Sequence, residues 1–205
     1  MQDNIISIDL SLRSTGILYS NGITVKFRLI ESDKKKHNDE ILLSYNSNEI
    51  IKFIYDVCPQ PDIIVIEGLS FNSISSSKDI LAGNFWYVRT QLKKEFPKVK
   101  LLIVPVSEWR SVIFNKEERK QLTENKKELK KLEEDMKDLT SSQKKDMALY
   151  NEELILKSNI KYLCWEKIVE PYKTKFKEYG FKKGTFDLTD AFFINQYVRN
   201  THENI

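Results

Sequence analysis

Four carboxylates carry the chemistry open to this sequence of 205 residues. Asp9 ends the short apolar run of Ile5, Ile6 and Ile8, and Glu67 ends the run Ile63-Ile64-Val65-Ile66. Asp187 and Asp190 stand three apart where a helical pattern opens, a spacing that puts both on one face of a helix. Acids at the ends of neighbouring strands in an open α/β sheet emerge where such sheets place their sites. Brought together, these carboxylates would repel and raise one another's pKa unless a cation neutralised them. Oxygen-only ligands suit Mg²⁺, with Mn²⁺ able to substitute, better than zinc or copper. Two such ions, roughly 4 Å apart, can activate a water and stabilise the leaving 3′ oxygen of a phosphodiester, so no covalent nucleophile is needed. Each acid also has a plainer role: Asp9 as a turn cap through Ser11, Asp187 as an N-cap, Asp190 as a first-turn acid. A glutamate placed like Glu67, next to a buried strand, is harder to explain without a partner or an ion.

The elements that must position these acids can be read from pattern. Ile5–Asp9, then 16–20 and 23–30 with Asn21-Gly22 between them, predict three strands with a tight hairpin. Apolar residues at helical spacing predict a helix over 38–57, stopped by Pro59 and Pro61. The strand ending at Glu67 is apolar on both faces, as a covered central strand should be. After a Ser-rich loop, a helix is predicted over 79–96 and a buried strand over 99–104. The expected class is α/β: a mixed five-stranded sheet flanked by helices, the layout of the ribonuclease H-like fold, although periodicity alone suits several α/β folds.

From 115 to 158 the chain becomes overwhelmingly charged, and Leu122, Leu129, Leu132, Met136 and Leu139 fall on a heptad seam interrupted at Thr140-Ser141-Ser142. Two helices forming an arm are expected there, either packed on the core or contacting DNA or a second copy. From Lys161 to Lys183 there are seven Lys against three Glu, interleaved with Tyr162, Trp165, Tyr172, Phe176, Tyr179 and Phe181. This strip could bind phosphates and stack on unpaired bases. Equally, its aromatics could be core, with the lysines solvating the other face. The expected organisation is a core of 1–114 and 184–205, a helical hairpin insertion over 115–160, and the basic aromatic segment over 161–183 packing on the core.

Lys+Arg number 33 against 30 Asp+Glu, a net charge of +3 that permits a nucleic-acid partner without requiring one. Cys58 and Cys164 are far apart and lack a Cys-x-x-Cys pattern, which argues against zinc and against a disulfide framework. With no signal-like start and no apolar run of about 18 residues, the expectation is a cytoplasmic or otherwise intracellular protein, not secreted and not in a membrane.

Three segments together resemble the RuvC-like Holliday junction resolvases. Ile6-Ser7-Ile8-Asp9-Leu10-Ser11-Leu12-Arg13-Ser14-Thr15-Gly16 is similar to their opening strand and turn, and Ile63 to Glu67 to their second acidic strand. Asp187-Leu188-Thr189-Asp190-Ala191 is similar to their Asp-x-x-Asp-Ala motif. The resemblance covers about 4–114 and 184–198. It implies a Mg²⁺-dependent endonuclease that resolves four-way DNA junctions as a homodimer, with Asp9, Glu67, Asp187 and Asp190 as catalytic metal ligands. It also implies Phe71 as a base-contacting aromatic and Lys182, Lys183, Arg13 and Arg110 as DNA-binding residues. Ser11 departs from the glycine frequent in bacterial members, and the arm is an expansion that points to a phage- or virus-like variant. Within the same metal chemistry, cleavage of RNA–DNA hybrids or strand transfer are alternatives. Less favoured alternatives are an actin-like ATPase, whose second phosphate loop and Gly-Gly motif are not found here, and a non-catalytic DNA-binding protein, against which the presence of all four acids argues.

Overall fold

The computed structural model of the chain describes residues 3–32, 39–69, 78–135, 148–178 and 185–202. Five strands are present: β1 (Ile5–Asp9), β2 (Ser14–Ser20), β3 (Val25–Glu31), β4 (Ile63–Glu67) and β5 (Lys100–Val104). The described helices are α1 (Asp39–Val57), α2 (Lys78–Glu95), α3 (Val106–Ile113), α4 (Lys116–Asp135), α5 (Ala148–Ser158), α6 (Ile160–Glu166), α7 (Tyr172–Lys177) and α8 (Thr185–His202). Phe71, Lys182, Lys183 and the predicted interruption at 140–142 lie outside the described residues.

The strand order is β3-β2-β1-β4-β5. β1 pairs antiparallel with β2 and β2 with β3, whereas β1 with β4 and β4 with β5 run parallel. An antiparallel meander continued by parallel strands across helical crossovers is the ribonuclease H-like arrangement. The fold is therefore the one the sequence predicted. Among the described residues, no helix is long and apolar enough to cross a membrane.

Period-two alternation divides the side chains of β1 and β4 between two cores. Ile6, Ile8, Ile64 and Ile66 pack with Ile50, Phe53 and Ile54 of α1 and Phe85, Val88 and Leu92 of α2. Ile5, Ile63 and Val65 pack on the opposite face with Trp109 of α3 and Ile194 and Val198 of α8. Asp9 and Glu67 share the parity of that second set, so both carboxylates face α3 and α8.

Three differences from the sequence expectation have physical reasons, and one alternative left open there is decided. The hairpin joins β2 and β3 through four residues rather than two: Asn21 Oδ1 accepts from the backbone N–H of Ile23 and Thr24, and Gly22 adopts φ 84°. Helix α3 was not predicted, although Val106, Trp109 and Ile113 sit at helical spacing behind Pro105. α8 begins two residues before Asp187, so Asp187 lies in the first turn rather than at the cap. In the basic aromatic segment Trp165 and Phe176 are fully buried against Leu18, Leu188 and Phe192, so these two rings are core and not platforms for bases. Lys173 and Lys177 lie over the Trp165 ring at 5.3 and 5.8 Å.

Gly16 decides how closely α8 approaches the sheet. A Cβ there would collide with the carbonyl carbon and oxygen of Asp187 and come within 2.9 Å of the Leu188 nitrogen. Backbone atoms have no rotamer with which to escape, so Gly16→Ala must push the first turn of α8 outward. Overpacking of this kind costs roughly 1–3 kcal/mol. The expected result is a lower melting temperature together with weakened divalent-ion affinity, because Asp187 rides on the displaced turn and Asp190 on the next; thermal melts with and without Mn²⁺ check it.

Candidate metal centre

Register brings the first two acids together. Ile8 pairs with Ile66 across parallel strands, so Asp9 and Glu67, one residue further on, leave the sheet side by side. The start of α8 crosses that sheet edge and adds Asp190 from its second turn. Carboxylate oxygens of Asp9, Glu67 and Asp190 all lie within 4.8 Å of one another. Asp187 stands at the flank of this triad, accepting from Ser14 Oγ at 2.5 Å and from Lys161 Nζ at 3.2 Å.

Asp9 and Asp190 are buried, and their environment is costly for their charge. Burial, followed by the charge of Glu67, raises Asp9 well above the ordinary carboxylate range against the pull of Lys161. Burial pushes Asp190 up to about 6, with Lys161 and Arg110 opposing the shift and Glu67 and Asp187 adding to it. Arg110 Nη2 lies 3.3 Å from Asp190 Oδ2, and its guanidinium stacks over the Trp109 ring at 4.7 Å. Arg110, expected on DNA, is thus engaged inside the centre. The other oxygen of Asp190, Oδ1, is buried and has no hydrogen-bond partner among the described residues. A buried carboxylate oxygen left bare is expensive unless a cation meets it.

The donor set fits a hard divalent ion. Three carboxylates converge, one with an orphaned oxygen, and no imidazole or thiolate belongs to the cluster among the described residues. Cys164 is nearby and fully buried, but burial and the charge of Asp190 push its thiol up to about 12, which keeps it protonated. Asp9, Glu67 and Asp190 could hold one ion directly, whereas Asp187 is outside this group and its oxygens meet Ser14 and Lys161.

No family profile and no curated protein matches the sequence. Among solved structures, the chain is similar to Thermus thermophilus RuvC, with 6% identity and a TM-score of 0.48 over 97% of this chain and 96% of that one. It is also similar to the fowlpox virus Holliday junction resolvase, at 12% identity and TM-score 0.45, covering 96% of this chain and 98% of that one. The yeast mitochondrial Holliday junction resolvase gives 11% identity and TM-score 0.46, over 98% of this chain and 81% of that one.

Three residues that support the centre were not singled out for it in the sequence. Lys161 Nζ lies 3.9 Å from Asp9 Oδ2, 3.2 Å from Asp187 Oδ1 and 3.5 Å from Asp190 Oδ2. Although burial works against its charge, Asp9, Asp190 and Asp187 together raise its ammonium above the ordinary lysine value. Ser14 holds Asp187, and Trp109 Nε1 donates to Glu67 Oε1 at 3.0 Å. The signal for Trp109 was its helical spacing, and for Ser14 its place at the start of β2. Lys161 had no local signal beyond being one lysine among seven in its strip. Arg13 is exposed at the turn between β1 and β2, open to a partner.

The indole N–H would be the outer support of Glu67 if that carboxylate holds an ion, and loss of such supports costs roughly 10–100-fold in metal affinity or activity. Trp109→Phe is expected to lower Mn²⁺ affinity within that range while the chain still folds. Calorimetric titration beside a circular-dichroism melt checks it; unchanged affinity would mean that Glu67 orients itself without the indole.

Proposed function

We propose that the chain is a divalent-metal-dependent endonuclease of the RuvC-like resolvase kind, cutting branched DNA at four-way junctions. The observation that carries the proposal is the convergence of Asp9, Glu67 and Asp190 at the end of a ribonuclease H-like sheet, with Asp190 Oδ1 lacking a hydrogen-bond partner among the described residues. Asp9, Glu67, Asp187 and Asp190 are the proposed ligands and catalytic residues, and Mg²⁺ is the proposed ion with Mn²⁺ as a substitute. When bound, such an ion supplies the positive charge that activates an attacking water and offsets charge on the leaving 3′ oxygen.

The chain's own residues do the rest. Glu67, fixed by Trp109, and Asp9, fixed by its strand, hold a rigid anionic floor. Asp187, fixed by Ser14 and Lys161, lies beside it. Lys161 and Arg110 keep four crowded carboxylates from repelling one another apart. The side chain of Lys161 is two-fifths exposed, and its ammonium is proposed to meet an incoming phosphate.

The substrate follows from the motif resemblance, whose implied symmetric incision needs two centres; a homodimer acting inside the cell is proposed on the same ground. Phe71, Lys182, Lys183, Arg13 and Arg110 are proposed DNA contacts, and the arm built on α4 and α5 is proposed as an insertion in the nuclease core. End-labelled four-way junction, linear duplex and RNA–DNA hybrid, incubated in parallel with Mg²⁺, with Mn²⁺ and with chelator, test this. Paired symmetric nicks in the junction alone, abolished by chelator, are expected. Cleavage of the hybrid in preference would redirect the substrate to RNA–DNA, and no cleavage of any of the three would sink the nuclease proposal.

A further inference from the structure

We infer that the ammonium of Lys161 takes the place of one of the two cations in this centre, so that the site holds a single divalent ion between Asp9, Glu67 and Asp190. The inference rests on the metal-centre proposal above and revises the two-ion expectation drawn from the carboxylates alone.

Three observations carry it. The first is geometric. Oxygens of Asp9, Glu67 and Asp190 lie within 4.8 Å of one another, whereas Lys161 Nζ sits beside Asp187, Asp190 and Asp9 at 3.2, 3.5 and 3.9 Å, an arrangement that takes in Asp187, which is outside the triad. Asp9 and Asp190 therefore belong to both arrangements, as shared carboxylates between two cations would. Asp187 is the acid that Lys161 approaches most closely.

The second is charge. Four carboxylates face two fixed cations, Lys161 and Arg110, which leaves two negative charges, the charge of one divalent ion. A second divalent ion would make the centre cationic before any phosphate arrived. With Lys161 neutralised or absent the balance shifts toward a second ion, and Asp187 becomes free to bind it.

The third is placement. Lys161 is the second residue of α6, at the end of a helix where the backbone dipole disfavours a cation. Asn159 caps that turn, its side chain accepting from the backbone N–H of Lys161 and Tyr162, so the helix start is fixed and the side chain is directed from it. The carboxylates across the gap account for a lysine in this position; the helix alone does not.

Mn²⁺ titration of the full chain without DNA, followed by loss of the free aqueous Mn²⁺ electron paramagnetic resonance signal, tests the inference. Wild type is expected to take up one Mn²⁺ per chain. Lys161→Met is expected to take up two, with spin–spin broadening from the close pair, and Lys161→Arg to return to one. Two ions in wild type would overturn the inference whether or not the methionine variant folds. A methionine variant that still takes one ion, only more tightly, would also overturn it, because Lys161 would then compete for the same position. No uptake by wild type would overturn the metal centre itself, a distinguishable result.

Discussion

Asp9→Asn and Asp190→Asn are each expected to reduce strand cleavage on the order of 10²–10³-fold or more, the scale on which removal of a charge-stabilising group acts, while junction binding survives. Both residues are predicted ligands, and an amide supplies one neutral oxygen where the centre needs anionic ones. Without metal, the same variants should melt higher than wild type at about pH 8. Both carboxyls are raised from their ordinary values, chiefly by burial, which means that the fold favours their neutral forms. Asparagine is close to such a neutral form in shape. Cleavage assays, gel-shift binding and melts on the same preparations separate the two effects. Full activity in either variant would remove that residue from the centre, and loss of binding in proportion to cleavage would point to misfolding.

The second large effect couples metal to pH. Between the ordinary aspartate value of 3.8 and about 6, folded Asp190 keeps a proton that the unfolded chain has released. The unfolded state then binds fewer protons, so the metal-free protein loses stability as pH rises through that window. Asp9 is shifted in the same direction and adds to the loss. Lys161 acts in the opposite sense: its raised value gives stability that is fully present below the ordinary lysine range, so it is constant across the window. An ion that binds only the folded, deprotonated site should restore what the acids lose. At a concentration about 100 times its dissociation constant it adds roughly 2.7 kcal/mol, or on the order of 5–10 °C for a chain of this size. Melts with Mn²⁺ at about pH 8 should show that rise and chelator should reverse it. At about pH 5, where protons compete for Asp9 and Asp190, most of the rise should vanish. A rise of equal size at both values would mean that the ion binds elsewhere.

The acids were legible in the sequence because their positions are set by local pattern. Glu67 follows a β-branched run with no polar residue, which identifies a central strand, Asp9 ends an apolar run broken only by Ser7, and the parallel register of β1 and β4 then makes the two carboxylates neighbours. The three-residue spacing of Asp187 and Asp190 survives the earlier start of α8, because both stay in its first turns. Supports that reach across the fold were not legible. Ser14 meets Asp187 across 173 positions, Trp109 meets Glu67 across 42, and Lys161 meets Asp187 across 26. Such pairings follow from packing, not from pattern. Gly16 stood in the first acidic segment, yet its meaning depends on how near the Asp187 carbonyl comes. The strip after Lys161 illustrates the opposite ambiguity: aromatic rings among lysines suit a nucleic-acid surface and a helix packed on a core equally well, and only burial assigns Trp165 and Phe176 to the core.

Crystals grown with Mn²⁺ test most directly whether Asp9, Glu67 and Asp190 hold the divalent ion that cleavage requires. An anomalous difference map is predicted to show its strongest peak among the oxygens of those three carboxylates, within bonding distance of the Asp190 Oδ1 that is bare in this structure. A cluster with no peak at an Mn²⁺ concentration that supports cleavage, or a peak held only by other residues, would contradict that assignment.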